Sequence, residues 1–341
     1  MTVGSVLACV TVAAVAAALV APVPAAAAEH PRGVVVRPAK LTLSADPTAL
    51  HSVGSTIVDG YRTVRTGLDA PLRLVGRATR GWVVVTAGPD GLDRTLWRVR
   101  PDGSALRLRS LGDEGDDVRT SSAGRRVALT VSGRRSTLAL VLRTSDGTVV
   151  GQRRFRGLLE VLALPGRVLL SGVQPRRTVW WWPRTGATER VLRRESWAAD
   201  AERDRLVQVV RDPAGYDGIC LAQGRLSTPA VRDWRSCTDK PLAWSPSGRR
   251  MVTTNIESDG IGPNLLQVRD AATNRVRATY RTFGYFGLPY WEDGNSFLVL
   301  TWARERAAIV RVTTGGRVSR VSPVVRMRDV EDALGWGFPP A

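Results

Sequence analysis

The sequence repeats a small polar turn that leads directly into a short apolar strand. The clearest copy is AWSPSGRRMVTT, residues 243–254, in which the turn centres on Gly248. Equivalent turns are marked by six residues: Gly81, Gly124, Gly166, Asp204, Gly248 and Gly294. Successive marks are 38 to 46 residues apart. A unit of about 43 residues is therefore repeated along most of the chain, and a period of this size indicates a repeat architecture.

A second set of turns follows the first at a nearly constant offset. These turns contain Gly103, Gly147, Gly186, Gly224, Asn274 and Gly316. Gly and Asn reach positive φ at low cost, which suits a tight turn between antiparallel strands. Two hairpins per unit make four strands, and four strands in about 40 to 45 residues are typical of one propeller blade. The sequence therefore predicts an all-β fold, a β-propeller of four-stranded blades.

A further hairpin turn supplies part of a closing blade. Gly60, in the Asp59-Gly60 turn, lies 43 residues before Gly103 and is in register with the second set of turns. The missing strands would come from residues 34–43, from residues 324–338, or from one of each. We expect seven blades, with six as the alternative, in a propeller spanning residues 55–341. Closure by both termini would leave no exposed sheet edge at the join.

The best-formed repeats resemble a known family. AWSPSGRRMVTT is similar to the Ser-Pro-Asp-Gly turn and following strand of the WD40-like (PD40) repeats in TolB-type propellers, with Ser247 in place of Asp. LWRVRPDGSALRL, residues 96–108, resembles the second hairpin of those repeats. The resemblance covers roughly residues 55–325. It implies the propeller architecture and carries no catalytic residue with it.

The first 28 residues differ in composition from the rest of the chain. They contain no charged side chain, are rich in Ala, Val and Leu, and end in Ala26-Ala27-Ala28. This pattern is typical of a secretory signal peptide. The alternative is an uncleaved N-terminal anchor, which would be the chain's one contact with a membrane. We therefore expect a secreted or cell-envelope protein, with an irregular lead-in over residues 29–54.

The cysteines and histidines limit the chemistry of the chain. Cys9 lies in the N-terminal segment, so Cys220 and Cys237 remain as a pair. An even number of cysteines in an exported chain favours a disulfide, with two free buried thiols as the alternative. His30 and His51 are the two histidines, and no paired-ligand spacing of a zinc site is present. No metal site and no cofactor are expected.

Catalytic motifs are absent from the sequence. There is no Gly-x-Ser-x-Gly elbow, Gly-rich phosphate loop, calcium loop or His-Glu-x-x-His. This absence favours a protein that is not an enzyme. The alternative is an extracellular hydrolase or lyase that acts on carbohydrate or peptide through paired carboxylates at the channel mouth.

The chain is strongly basic, with a formal net charge of +18. Nearly all of the positive charge is arginine, because Lys40 and Lys240 are the only lysines. The arginines are spread along the sequence, as a GC-rich coding sequence would also produce, and an exported protein seldom meets nucleic acid. We expect no nucleic-acid partner. The charge instead suits attraction to anionic wall polymers or lipid head groups.

Propellers usually bind partners at the face that carries the connections between blades and between second and third strands. On this face we expect an acidic sector with Asp113, Glu114, Asp116 and Asp117. A basic sector would contain Arg134, Arg135, Arg176 and Arg177. The segment FGYFGLPYW, residues 283–291, would add an exposed aromatic loop with Tyr285, Phe286 and Trp291. The predicted function is that of an exported, monomeric, non-catalytic scaffold that binds a protein or an anionic cell-envelope polymer.

Overall fold

The chain folds into seven small β-sheets that form the blades of a β-propeller. The computed structural model describes residues 33–69, 72–88, 91–112, 117–211, 218–258, 262–326 and 336–339. Nearly all regular structure in these residues is strand, with a single short 3-10 helix at Pro38–Lys40. The predicted fold class, a β-propeller of seven four-stranded blades, is confirmed. The predicted signal segment, residues 1–28, lies outside the described residues.

The described strands are short, most of them three to eight residues long. In chain order they are β1 (Val34–Val36), β2 (His51–Val53), β3 (Thr56–Asp59), β4 (Arg62–Arg65), β5 (Arg73–Ala78), β6 (Gly81–Thr86), β7 (Arg94–Val99), β8 (Ala105–Gly112), β9 (Val118–Thr120), β10 (Arg126–Ser132), β11 (Ser136–Arg143), β12 (Val149–Arg156), β13 (Leu158–Ala163), β14 (Val168–Gln174), β15 (Arg176–Trp181), β16 (Thr188–Leu192), β17 (Ser196–Asp200), β18 (Arg205–Arg211), β19 (Ile219–Arg225), β20 (Arg232–Ser236), β21 (Asp239–Trp244), β22 (Arg250–Asn255), β23 (Leu265–Asp270), β24 (Val276–Thr282), β25 (Tyr285–Phe286), β26 (Tyr290–Trp291), β27 (Ser296–Ala303), β28 (Arg306–Thr313), β29 (Val318–Arg320), β30 (Val325–Arg326) and β31 (Trp336–Gly337).

Consecutive strands pair antiparallel within each blade. Blades 1 to 4 are β5–β8, β9–β12, β13–β16 and β17–β20, and blade 5 is β21–β24 with β1 added at its outer edge. In blade 6 the first strand is divided into β25 and β26, and the fourth into β29 and β30. Blade 7 has the order β31-β2-β3-β4. Its first strand therefore comes from the C-terminal end of the chain and its other three from the N-terminal end.

The repeated turns occupy equivalent places in the blades. Five of the six marks of the first set lie between the first and second strands of their blades, and Gly81 is the first residue of the second strand, β6. Asp204 and Asn274 take the place of glycine with φ of 54° and 58°, a conformation that Asp and Asn tolerate better than other non-glycine residues. In the second set, Gly224 departs from the prediction, because it lies inside β19 and the turn falls at residues 226–231. A Cβ at Gly224 would lie 2.0 Å from the Val231 carbonyl oxygen.

Residues 34–43 run along the outer edges of blades 5 and 6. β1 pairs in parallel with β24, the fourth strand of blade 5. Farther on, Leu43 forms a parallel bridge with Arg320 of blade 6, and the guanidinium of Arg320 donates to the Leu41 carbonyl at 2.9 Å. Part of the predicted irregular lead-in is thus ordered against the sheets. Because edge strands expose unpaired backbone groups, this segment protects the edges of blades 5 and 6.

An ion pair in blade 6 holds residues 45–48. Arg311 donates to both carboxylate oxygens of Glu292, at 2.6 and 2.9 Å. A third nitrogen of Arg311 donates to the Ala45 carbonyl at 3.1 Å, and the Thr48 amide donates to Glu292 at 3.0 Å. The two side chains are 19% and 7% exposed. This largely desolvated pair, between the end of the first strand and the third strand of blade 6, therefore links the blade to residues that precede blade 7.

The apolar core lies between adjacent blades. Trp180 and Trp181 are consecutive residues of β15, and their side chains point to opposite faces of the sheet, as strand geometry requires. Trp181 packs with Phe155 and Leu159 between blades 2 and 3. Trp180 packs with Leu206 between blades 3 and 4. Both tryptophans are structural, so the Trp180-Trp181-Trp182 run does not form an aromatic platform for a ligand.

Cys220 and Cys237 form the predicted disulfide, with Cα atoms 4.0 Å apart, slightly closer than the usual range of about 4.4 to 6.8 Å. Leu221 and Ser236 are partners in the β19–β20 ladder, so the bond joins the neighbouring positions across this hairpin. Cys220 is the second residue of β19, the third strand of blade 4.

We expect the double variant Cys220→Ala, Cys237→Ala to lose about 3 kcal/mol of unfolding free energy, because the bond restricts the unfolded chain over a loop of this size. Urea unfolding of the parent and variant would measure the loss. The variant also controls for effects of the reductant, because its urea midpoint should not change when a reducing agent is added. Alkylation of both thiols in the unreduced parent would contradict the bond.

Candidate binding face

The two ends of the propeller carry different kinds of connection. Since the strands of each blade alternate in direction, the connections between blades and those between second and third strands lie at one end, here called the upper face. The turns between first and second strands and between third and fourth strands lie at the other end, the lower face. The predicted binding residues that the structure describes belong to elements of the upper face or to the strands that begin there.

Eight arginines cluster on the upper face of blades 2 and 3, and we call this group the basic surface. It consists of Arg134, Arg135, Arg154, Arg156, Arg176, Arg177, Arg193 and Arg194. Six of the eight are exposed, and Arg177 and Arg194 are half-buried. The four predicted arginines lie here together. The other four were missed because they belong to the ends of fourth strands and to the blade connection, which reach the same face only in the folded sheet.

Hydrogen bonds within blade 2, and one from blade 3 to blade 2, bring the arginines together. The Gly157 amide donates to the Arg135 carbonyl at 2.8 Å. The Arg177 guanidinium donates to the Arg156 carbonyl, also at 2.8 Å. Arg154 donates to the Ser136 hydroxyl at 3.0 Å. These contacts fix residues that are up to 42 positions apart in sequence, Arg135 to Arg177, into one surface.

The basic surface has little acidic compensation among the described residues nearby. Glu195 approaches Arg176 at 4.0 Å, and Glu160 lies below on the first strand of blade 3. Burial lowers the pKa of Arg177, and repulsion from Arg153 lowers it further. An arginine pKa starts high enough that the group stays charged at neutral pH. The surface therefore carries a large net positive charge.

Most of the predicted acidic sector lies outside the residues that the structure describes. Asp113, Glu114 and Asp116 lie outside the described residues, while Asp117 is half-buried just before β9. Burial lowers the pKa of Arg119 on that strand, and the negative charge of Asp117 partly opposes this shift. Asp117 is thus close to a channel-side arginine. An acidic sector on the upper face stays a prediction.

The segment expected to form an exposed aromatic loop is instead a strand. β25 and β26 are two parts of the first strand of blade 6, separated by a bulge at residues 287–289. Phe286 is 0% exposed and Trp291 is 7% exposed, and both belong to the core between blades 5 and 6. Tyr285 is half-buried beside Trp302, with ring centres 5.7 Å apart. The expected exposure of Phe286 and Trp291 is therefore wrong, because the blade needs these residues as its first strand.

A cavity of about 390 Å³ occupies the lower part of the central channel. It is lined by first strands and first turns of blades 1 to 6, with side chains that include Arg119, Trp244 and Tyr290. Two carboxylates border it, Asp200 and Glu202. Asp200 accepts a hydrogen bond from Arg203 at 2.7 Å. Asp200 is thus already engaged in an ion pair with Arg203.

In the described part of the chain, no three His, Cys, Asp or Glu side chains are grouped so that they could hold a metal ion. In the same residues, no helix is long and apolar enough to cross a membrane.

Solved structures with the same architecture are similar to this chain at low sequence identity. A chain of the mitotic checkpoint complex has a TM-score of 0.54 and 12% identity, over 84% of this chain and 87% of that one. The Cps50 (Swd1) β-propeller domain of Myceliophteria thermophila has a TM-score of 0.51 and 11% identity, over 75% and 86%. TolB from Acinetobacter baumannii has a TM-score of 0.47 and 13% identity, over 76% and 66%. The first two of these similarities show the fold alone.

Sequence comparison adds no family. No protein-family model matches the chain, and no curated protein matches it significantly. The resemblance of the repeats to TolB-type propellers is therefore supported only as far as the β-propeller fold.

Proposed function

We propose that the protein is a non-catalytic scaffold that binds an anionic macromolecule on its upper face. The observation that carries this proposal is the basic surface, in which two neighbouring blades contribute eight arginines to one contiguous area. The Glu195 carboxylate lies 4.0 Å from the Arg176 guanidinium and is largely covered. Concentrated charge of one sign attracts oppositely charged partners and speeds their association.

The scaffold role also suits the way in which the fold holds the backbone of the arginines. They project from strand ends and from two short connections whose backbone accepts hydrogen bonds, from the Gly157 amide at Arg135 and from the Thr178 hydroxyl at Arg194. A surface held by rigid sheets loses little conformational entropy when a partner binds. Arginine also forms bidentate hydrogen bonds with carboxylates and phosphates, and so can recognise either kind of anionic group.

We further propose that the protein works outside the cytoplasm. The disulfide between Cys220 and Cys237 supports this location, because such bonds persist mainly in oxidising compartments. The apolar segment before Glu29 would direct export, either as a cleaved signal peptide or as an anchor.

The triple variant Arg134→Glu, Arg135→Glu, Arg176→Glu tests the binding face. We expect it to bind polyglutamate and polyphosphate at least about tenfold more weakly than the parent, because three attractive charges become repulsive. The matched control is Arg249→Glu, Arg275→Glu, Arg317→Glu, which changes the net charge equally at exposed positions of the lower face. Titration calorimetry at low and physiological salt would measure both affinities.

Equal weakening in the two triple variants would overturn the proposed face, since the binding would then depend on net charge alone. Failure of the parent to bind either polymer at low salt would overturn the proposed function itself. Screening by salt should reduce the parent's affinity, because exposed charges interact over about one Debye length.

A further inference from the structure

Three large apolar side chains are exposed beside the basic surface. Leu158 is 45% exposed, Val173 is 53% exposed and Trp197 is 45% exposed. They belong to the first and second strands of blade 3 and to the first strand of blade 4. We call these three side chains the apolar patch.

Strand pairing places the patch next to the arginines. Val173 is the ladder partner of Arg176, and Leu158 is paired with Gln174, the residue after Val173. Leu158 also follows Arg156 by two positions along the chain. Apolar and basic side chains are thus neighbours at the top of blade 3.

The third member of the patch is joined to blade 3 through its preceding residue. The Ser196 amide donates to the Ser171 hydroxyl at 2.7 Å, and the Ser196 hydroxyl lies 2.7 Å from that of Thr178. These contacts tie β17 to β14 and β15. Trp197 therefore lies on the first strand of blade 4, directly beside blade 3.

Trp197 is held in a fixed orientation although it is exposed. Its indole nitrogen donates to the Pro241 carbonyl at 3.2 Å, and the Lys240 ammonium lies 5.1 Å from the ring centre. A ring whose rotamer is already restricted loses little entropy on binding a partner. The indole is therefore prepared to act as an anchor for an apolar group.

An apolar centre with a charged rim is the usual anatomy of a protein-binding site. A uniformly anionic polymer would be recognised by the arginines alone and would gain nothing from three exposed apolar side chains. Tryptophan and arginine are, moreover, the residues on which binding energy at protein interfaces is concentrated. Resting on the proposed function, we infer that the partner is an acidic polypeptide segment that carries apolar side chains among its carboxylates.

Three probes of equal length and comparable charge test this inference. They are polyphosphate, a 20-residue peptide of Glu and Ser, and the same peptide with Leu and Phe in place of four Ser residues. We expect the parent to bind the third probe at least about tenfold more tightly than the second, since buried apolar contacts add to the charge attraction.

The variant Leu158→Ala, Val173→Ala, Trp197→Ala should lose that preference while it binds the Glu and Ser peptide as the parent does. The double variant Leu158→Ala, Val173→Ala keeps the indole and its hydrogen bond, and it should lose part of the preference. The control is Tyr61→Ala, Val149→Ala, Val231→Ala, which removes exposed apolar side chains from the lower face and should keep the full preference.

The outcomes separate the inference from the function on which it rests. Binding of all three probes with equal affinity, or tighter binding of polyphosphate, would overturn the acidic polypeptide and leave an anion-binding face. Retention of the full preference in both patch variants would also overturn the inference. Binding of none of the probes would instead remove the proposed function.

Discussion

The variant Arg311→Ala is expected to unfold with a free energy about 3 to 5 kcal/mol lower than the parent, because removing one partner leaves Glu292 charged in a desolvated site. Glu292 is 7% exposed. In the variant its carboxylate would keep the backbone hydrogen bond that the Thr48 amide donates. The loss should also free residues 44–48, since the Ala45 carbonyl loses its donor from Arg311. Urea unfolding would measure the first effect and amide hydrogen exchange the second.

The matched control lies in the same blade. Arg326 and Glu305 form an ion pair at 3.1 Å, but the two side chains are 73% and 62% exposed. Exposed pairs contribute about 0 to 1 kcal/mol, so Arg326→Ala should leave the unfolding free energy almost unchanged. Equal losses in the two variants would show that Arg311 does not act through its buried pair.

The same pair predicts a dependence on pH. Burial by itself would raise the pKa of Glu292, but the hydrogen bonds from Arg311 and from the Thr48 amide outweigh it, so the pKa lies below its usual value of 4.5. Because the pKa is lower in the folded protein than in the unfolded chain, the pair stabilises the fold fully above about pH 4.5 and this stabilisation is lost as the pH falls through the folded pKa. Below pH 4.5, the parent should therefore lose stability more steeply than Arg311→Ala.

The variant Phe286→Ala is expected to lose about 3 to 5 kcal/mol of unfolding free energy, because a large side chain leaves a cavity in a packed core. Phe286 is fully buried between blades 5 and 6 with Trp291 and Phe297. Three residues earlier, Phe283 is 62% exposed and contacts the guanidinium of Arg37 at 5.1 Å. Phe283→Ala should therefore change the melting temperature little.

This comparison decides how the aromatic segment acts. If Phe286 formed part of a partner-binding loop, its replacement would reduce binding and leave the stability unchanged. A melting temperature equal to that of the parent would contradict the packing described above. Thermal unfolding can therefore test the assignment before any partner is known.

The architecture could be read from the sequence because it depends on local chemistry. Turn residues that accept positive φ, followed by short apolar runs, recur once per blade, and each run forms a strand near the place that the pattern indicates. The same local logic found the cysteine pair. It failed at Gly224, where glycine serves a close approach to the Val231 carbonyl and not a turn, because both uses of glycine look alike in a sequence.

The binding face required the tertiary structure. The sequence by itself determined the repeat, the fold class, the disulfide and four of the arginines. Only the packing of blade 2 against blade 3 decided that Arg154, Arg156, Arg193 and Arg194 share one surface with them and that Leu158 and Val173 lie beside it. Packing also decided that Phe286 and Trp291 are core residues. Burial and proximity arise from contacts between strands far apart in the chain, and no local pattern encodes which of two aromatic neighbours, Phe283 or Phe286, faces the adjoining blade.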